Sequence, residues 1–561
     1  MSKVEKTSMD FKEATTFKMR FVSSLEKVFP YEEPTLFMDN ATMLKNERLN
    51  FQLIIQSNEH VMDGCIRIES EIAEYIRIYS EDYVAVTSEI SRWLLHDDYR
   101  IHTDREMGIY PDILRPMDKY KHVFKKNAYT PFWITVDTQE KVNAGVYPVR
   151  FSAFNEKDEL LGETVFEIEI INDMLAESDL YVFDWIHFDS ICYAHKVKYL
   201  SKRFYTIANE YIKTAVKNGI NVLFVPALNY AVDADEGTYR KDMQLLDITK
   251  TQDGYAFNLS ALERFIENAQ ECGMQYFCFS HIASQWGAKS SVRVRVIENG
   301  KKTYKFGWDT PSDDKEYVSF LTAYLRAIDG FIERKGLKGK CFISISDEPP
   351  MSYAENYEKL SLLIRENTKN MPILDATAEY SYIEKGNMDI PVIASEKYDE
   401  FPKTENAWVY YCCVQRDNYV SNRFINMPSQ RNRILGAQLY LNETKGFLHW
   451  GYNFYAGYLS RAFINPYHVN DSMGMFEAGD AFVVYPTEKG CIESLRLPVF
   501  FDGLQDYMAL KTLEKYIGKE EVMALLEAEG LKGYTQYPRS AVWHIEFREK
   551  INQKIKSFCN R

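Results

Sequence analysis

The stretch CFISISDEPPMSY, residues 341–353, runs from an apolar segment into two adjacent acids and then two prolines. Cys341 to Ile345 read as a short buried strand, and Asp347 and Glu348 stand at its expected end. Pro349 and Pro350 lack the amide hydrogens that continue a ladder, so the strand is expected to stop at the acids. A helical pattern, AENYEKLSLLIREN, follows directly. The stretch therefore reads as one β/α unit with two carboxylates at its turn.

Working outward, seven more apolar runs share this rhythm, at 180–189, 220–228, 274–283, 371–378, 390–395, 407–414 and 445–454. Helical patterns separate most of them. One covers 201–219, with Gly219 placed as a C-cap, another opens near Ser260, and a third ends near Gly336. Eight units over about 300 residues predict a closed (β/α)8 barrel of the TIM type. A doubly wound open sheet is the alternative, but the Gly-rich phosphate loop such folds often carry is missing.

The residues before the barrel read differently. RLNFQLIIQS (48–57), YTPFWITVDTQ (129–139), GVYPVRFSAFN (145–155) and ETVFEIEIIN (163–172) alternate apolar and polar positions without intervening helices. That pattern predicts an N-terminal antiparallel β-sandwich over 1–175, joined through DMLAESDL (173–180) to a barrel over 176–561 that ends in a helical segment. The length of 561 residues fits this division, because barrels run longer than average domains.

Composition narrows the function. The formal net charge of −14 disfavours nucleic acid and anionic membrane as partners. No apolar run is long enough to span a bilayer, and the opening MSKVEKTSMDFKEATTF has no apolar signal core, so a cytoplasmic location is expected. Nine cysteines without CxxC spacing fit reduced thiols, with Cys412–Cys413 read as small buried residues on a strand. No HExxH, no GxSxG and no cofactor fingerprint occur, so neither a metal nor a cofactor is expected.

Barrel active sites lie at the C-terminal ends of the strands. Those ends carry Asp184, Trp185 and His187, then His281 and Trp286, then Asp347 and Glu348. The seventh and eighth add Tyr410, Tyr411, His449, Trp450, Tyr452 and Asn453. Indoles and phenols pack on the C–H faces of sugars, and carboxylates cleave glycosidic bonds, so a carbohydrate substrate and a glycosidase are expected. Two acids adjacent in sequence do not easily straddle a sugar ring. That favours a scheme in which the longer Glu348 is the acid/base and Asp347 orients a 2-acetamido group serving as nucleophile. The plainer alternative is that acids before a helix simply favour its positive N-terminal end.

ISDEP, at 345–349, resembles the signature of glycoside hydrolase family 123, whose known members are β-N-acetylgalactosaminidases. The resemblance extends to GIYPDILRPM (108–117), WVYYCCV (408–414), GFLHWGYNFY (446–455), GDAFVVYP (479–486) and SLRLPVFFDGLQDYMALKTL (494–513). It implies an exo-acting, retaining, substrate-assisted hydrolase of terminal β-linked N-acetylgalactosamine, with Glu348 as acid/base and Asp347 on the acetamido group. By the same resemblance Trp286, Trp308, Trp450 and one of Tyr410 and Tyr411 are expected around the acetamido group, and Asn453 against a hydroxyl or the acetamide. Glycosidases of other sugar specificity, and a carbohydrate-binding protein with an inert barrel, stand as alternatives. His187 and His281 are expected to be structural, as are Arg496, Asp502 and Asp506.

Overall fold

A computed structural model describes residues 16–87, 107–413, 415 and 420–559. Eight parallel strands form one sheet: Tyr181–Asp184, Val222–Val225, Tyr276–Phe279, Cys341–Ile343, Leu374–Thr377, Ile390–Ala394, Trp408–Tyr410 and Gly446–His449. Numbered first to eighth, they run 4-3-2-1-8-7-6-5 across the sheet. A parallel bridge between Ile343 and Ile373 then joins the fourth to the start of the fifth, so the sheet closes as a TIM-type barrel. All eight strands fall inside the eight apolar runs of the sequence, because both faces of a parallel barrel strand are covered.

The barrel is filled rather than hollow. Tyr181 stacks on Trp408 with ring centroids 5.1 Å apart, and Tyr276 and Phe342 meet Tyr181 edge-on at 4.7 and 5.7 Å. Along the seventh strand, Trp408 and Tyr410 share the inward face by the two-residue period, which sends Val409 and Tyr411 outward. Gly446 on the eighth strand makes room for this layer, since a Cβ there would lie 2.5 Å from the Trp408 ring.

The helices follow from pattern and caps. Lys202–Lys217 buries Phe204, Ile207, Ala208, Tyr211, Ile212 and Ala215 on one face, and Ser201 Oγ accepts from the Phe204 amide at 3.2 Å. Asp314 caps Lys315–Arg334 through the amides of Glu316 and Tyr317. Helix Leu435–Leu441 meets helix Arg496–Ile517 at Gly436 and Gly503, where a Cβ on Gly436 would fall 1.6 Å from the Gly503 carbonyl oxygen. Beyond the second and third strands, hairpins form a four-stranded sheet of Asp247–Thr251, Gly254–Asn258, Val294–Glu298 and Lys301–Phe306, which the sequence pattern did not announce.

The N-terminal residues form two sheets. In one, Phe17–Ser23, Arg48–Ser57, Tyr129–Asp137 and Ile76–Val86 pair antiparallel in that order. In the other, Leu160–Met174, Gly145–Phe154, Val61–Glu69 and Lys121–Phe124 do the same. One pairing departs from the antiparallel expectation: Asn40–Lys45 runs parallel to Leu160–Met174. Residues of both sheets share one apolar core, in which Phe51 stacks on Phe166 at 4.0 Å. The compact units do not divide at a single cut near 175. The first holds residues up to Glu81 and Arg115–Met174, whereas Asp82–Leu114 groups with Leu175–Arg561. Inside the second unit, Arg496 forks onto Asp112 with Nε–Oδ1 at 2.7 Å and Nη2–Oδ2 at 3.0 Å. Among the described residues no helix is long and apolar enough to cross a membrane.

Candidate active site

The fourth strand ends at Ile343, four residues before Asp347, so the prolines are not what stops it. The agent is Asp375 on the fifth strand. Its Oδ2 accepts from the amides of Ile345 at 2.8 Å and Ser346 at 3.3 Å, and from the Tyr357 hydroxyl at 2.7 Å. A side chain thus takes the place of a neighbouring strand. Burial lifts the Asp375 carboxyl to about 7, against the pull of those three donors.

Past Ser346 the chain turns through Glu348, whose φ of 40° lies in the left-handed region. The loop after the third strand is fastened to this turn. The Trp286 amide donates to the Asp347 carbonyl at 2.8 Å, and Ser346 Oγ donates to the Ser284 carbonyl at 2.7 Å. Trp286 is itself left-handed, at φ 56°. Gly287 follows at φ 133°, where a Cβ would meet the Tyr353 side chain at 2.3 Å.

These segments wall a cavity of about 250 Å³ lined by Asp347, Glu348, Asp233, four ring systems from Trp185, Trp286, Trp450 and Tyr410, and further side chains including Tyr458 and Phe476. Tyr410 donates its hydroxyl hydrogen to Glu348 Oε1. Burial raises the Glu348 carboxyl, and the Tyr410 hydrogen bond partly offsets that. Burial raises Asp347 well above the usual carboxylate range, and the neighbouring Glu348 and Asp233 charges push the same way. Asp233 is lifted to about 6 by burial, with Arg240 opposing. Two like acids side by side, desolvated together, retain protons that exposed acids would release.

The sequence-predicted residues divide. Asp347, Glu348, Trp286, Tyr410 and Trp450 meet in the cavity, and Trp450 is fixed by its Nε1 donating to Asp480 Oδ2 at 2.9 Å. Tyr411 faces away, with its ring 4.8 Å from Phe447 and 5.6 Å from His449. Trp308 is not part of the lining: its Nε1 donates to the Thr238 carbonyl at 2.6 Å. Asn453 is fully buried and spent on the backbone of His187, accepting from its amide at 2.7 Å and donating to its carbonyl at 3.2 Å.

His187 and His281 are buried, and burial lowers both to about 3. His187 is held by the Trp450 carbonyl at 2.7 Å and Arg240 at 2.9 Å. Asp506 is likewise spent, on a two-pronged pair with Arg433 at 2.7 and 2.9 Å. Cys412 and Cys413 lie past the end of the seventh strand, not on it, and both line the cavity as free thiols with sulfurs 3.8 Å apart. Asp233 was missed by the sequence reading, since it sits in a loop with no flanking pattern. Trp185 was visible at a strand end, and its indole N–H has no hydrogen-bond partner among the described residues. Among the described residues no group of three or more His, Cys, Asp or Glu could hold a metal ion.

Comparison with known proteins adds to this geometry. The family model described as "Glycoside hydrolase 123, catalytic domain" matches residues 185–513. No curated protein matches the chain. Among solved structures, a family 123 glycoside hydrolase from Clostridium perfringens, described in connection with glycolipid glycan hydrolysis, superposes with a TM-score of 0.74 at 15% identity, covering 97% of this chain and 98% of that one. A family 5 mannosidase from Rhizomucor miehei reaches a TM-score of only 0.31 at 13% identity, covering 61% and 95% of the two chains.

Proposed function

The chain belongs to glycoside hydrolase family 123, and from that premise we propose that it is an exo-acting, retaining β-N-acetylgalactosaminidase working by substrate assistance. The observation that carries this reading is the placing of Asp347 and Glu348 in the wall of one cavity from adjacent positions, about a left-handed turn at Glu348. A cavity of about 250 Å³ suits a single terminal sugar. The two N-terminal sheets, with their shared core, are read as a sandwich.

In this scheme Glu348, whose carboxyl burial raises, gives its proton to the glycosidic oxygen. The acetamido oxygen of the substrate attacks the anomeric carbon as that bond breaks, and an oxazolinium forms. Asp347 accepts a hydrogen bond from the acetamido N–H, and that donor together with the developing positive charge favours its ionised form. Glu348, now a carboxylate, takes a proton from the water that opens the ring, which restores the starting state with retention. Trp185, Trp286, Trp450 and Tyr410 enclose the sugar and its acetamido methyl group.

The test is hydrolysis of an aryl β-N-acetylgalactosaminide. Glu348→Gln abolishes turnover, Asp347→Asn loses most of it, and a thiazoline analogue of the oxazoline inhibits the wild type. A sugar trapped covalently on a protein carboxylate would refute the scheme. One observation favours a second reading: Asp233 is a third carboxylate in the lining, so a two-carboxylate mechanism on a sugar without an acetamido group would have a nucleophile there. A panel of aryl glycosides separates the two.

A further inference from the structure

Asp233 has no part in the two-acid scheme, yet the fold fixes it with unusual care. Its φ of 54° is left-handed, a conformation that persists in a non-glycine residue when its surroundings hold it. Gln285 supplies the hold. Its Oε1 accepts from the Asp233 amide, its Nε2 donates to the Ala234 carbonyl at 2.8 Å, and its own amide donates to the Ala231 carbonyl at 3.1 Å. Two residues on, Asp235 takes a fork from Arg461 at 2.5 and 2.8 Å, which ties this loop to the one carrying the cavity residue Tyr458. With Trp286 and Glu348, Asp233 makes three cavity-lining residues that stand at positive φ.

Behind Asp233 is a cation with an unspent donor. The Arg240 guanidinium is buried and gives Nε and Nη2 to Asp189 at 2.9 and 2.8 Å, with Nη2 also 2.9 Å from His187 Nδ1. Among the described residues its Nη1 has no hydrogen-bond partner, and it lies 3.9 Å from Asp233 Oδ2. That separation is too long for a direct hydrogen bond. Nη1 is buried and lies outside the cavity lining, so the guanidinium is the charge behind Asp233 and not a contact for a ligand. The Asp233 carboxylate, by contrast, lines the cavity, where a sugar hydroxyl can donate to it.

The geometry points to Asp233, backed by Arg240, as a specificity-determining residue that reads one hydroxyl of the terminal sugar, the hydroxyl donating to the Asp233 carboxylate. This rests on the proposed glycosidase reading. It extends that reading by naming a residue that distinguishes one hydroxyl of the sugar.

The experiment is a cycle of variant against substrate. Wild-type protein and the near-isosteric Asp233→Asn are assayed on the parent aryl glycoside and on its 3-, 4- and 6-deoxy forms. Wild-type turnover of the parent, measured first, tests the glycosidase reading by itself. If another sugar of the panel is the substrate, its deoxy forms enter the same cycle. The expected result is a fall in kcat/KM of about 10- to 100-fold for Asp233→Asn on the parent, the loss of one hydrogen bond to a charged group. One deoxy substrate should then be turned over equally poorly by both proteins. An equal fall for every deoxy form would show a merely structural role and overturn the inference. So would a sugar trapped covalently on Asp233.

Discussion

Tyr410, on the inward face of the seventh strand, donates its hydroxyl hydrogen to the carboxyl of Glu348, 62 residues earlier in the chain. A phenol bonded to a carboxylate stabilises the ionised form, so Tyr410 holds Glu348 lower than burial alone would set it.

Tyr410→Phe removes that bond and keeps the ring. The Glu348 pKa then rises, and with Glu348 as general acid in the proposed scheme the alkaline limb of the kcat/KM profile moves to higher pH. Turnover at the optimum should fall about tenfold, the cost of one charge-assisted hydrogen bond. A pH–rate profile of both proteins checks the sign, and a limb that stays put or moves down contradicts the bond's role.

Asp347 predicts an exchange of stability for activity. Its native pKa is raised by burial and like charge, while in the unfolded chain it ionises near the model-peptide value of about 3.9. Between those two values the native state binds more protons than the unfolded one, so this group's contribution to stability falls as pH rises. Asp347→Asn removes that penalty, so the variant should melt above the wild type at pH 7.5. The gain should vanish toward pH 4. Thermal scans at the two pH values decide it.

Asp375 is the clasp of the fourth strand. Asp375→Ala leaves two buried amides and the Tyr357 hydroxyl without their acceptor, at about 1–3 kcal/mol for each group left unpaired. Activity should fall with stability, because the freed segment carries both acids. Asp375→Asn keeps one acceptor oxygen and should recover much of the loss. Chemical denaturation of the pair of variants makes the comparison.

Gly503→Ala tests the helix contact. The added methyl would stand 2.4 Å from the Arg433 carbonyl oxygen, so one helix must shift. Overpacking of this kind costs about 1–3 kcal/mol or more. The midpoint of urea unfolding should fall, while an alanine at Gly330, inside helix Lys315–Arg334 where only the flexible end of Arg334 lies near its Cβ, serves as the control for an added helical methyl.

The barrel was legible because its signals are local. Buried parallel strands read as apolar runs, and helix Lys202–Lys217 announces itself by its period, its Ser201 cap and Gly219 at φ 82°. The acid pair was legible too, but its setting was not. The end of the fourth strand is dictated by Asp375, and the turn at Asp233 by Gln285 more than 50 residues away. Trp308 shows the opposite failure. An indole near the barrel mouth reads as a sugar platform, yet this one is spent on Thr238. Tyr410 and Tyr411 were resolved only by phase: inward falls on Tyr410, because Trp408 two residues earlier fills the interior.

The amides of Ile345 and Ser346 are held by a carboxylate and not by the backbone of the fifth strand. Their exchange with solvent deuterium therefore depends on how firmly Asp375 holds them. Exchange measured at those two amides will report the tightness of the corner that carries the two acids in the resting enzyme, before any sugar is added, and slower exchange on binding an inhibitor will show the fold tightening from within.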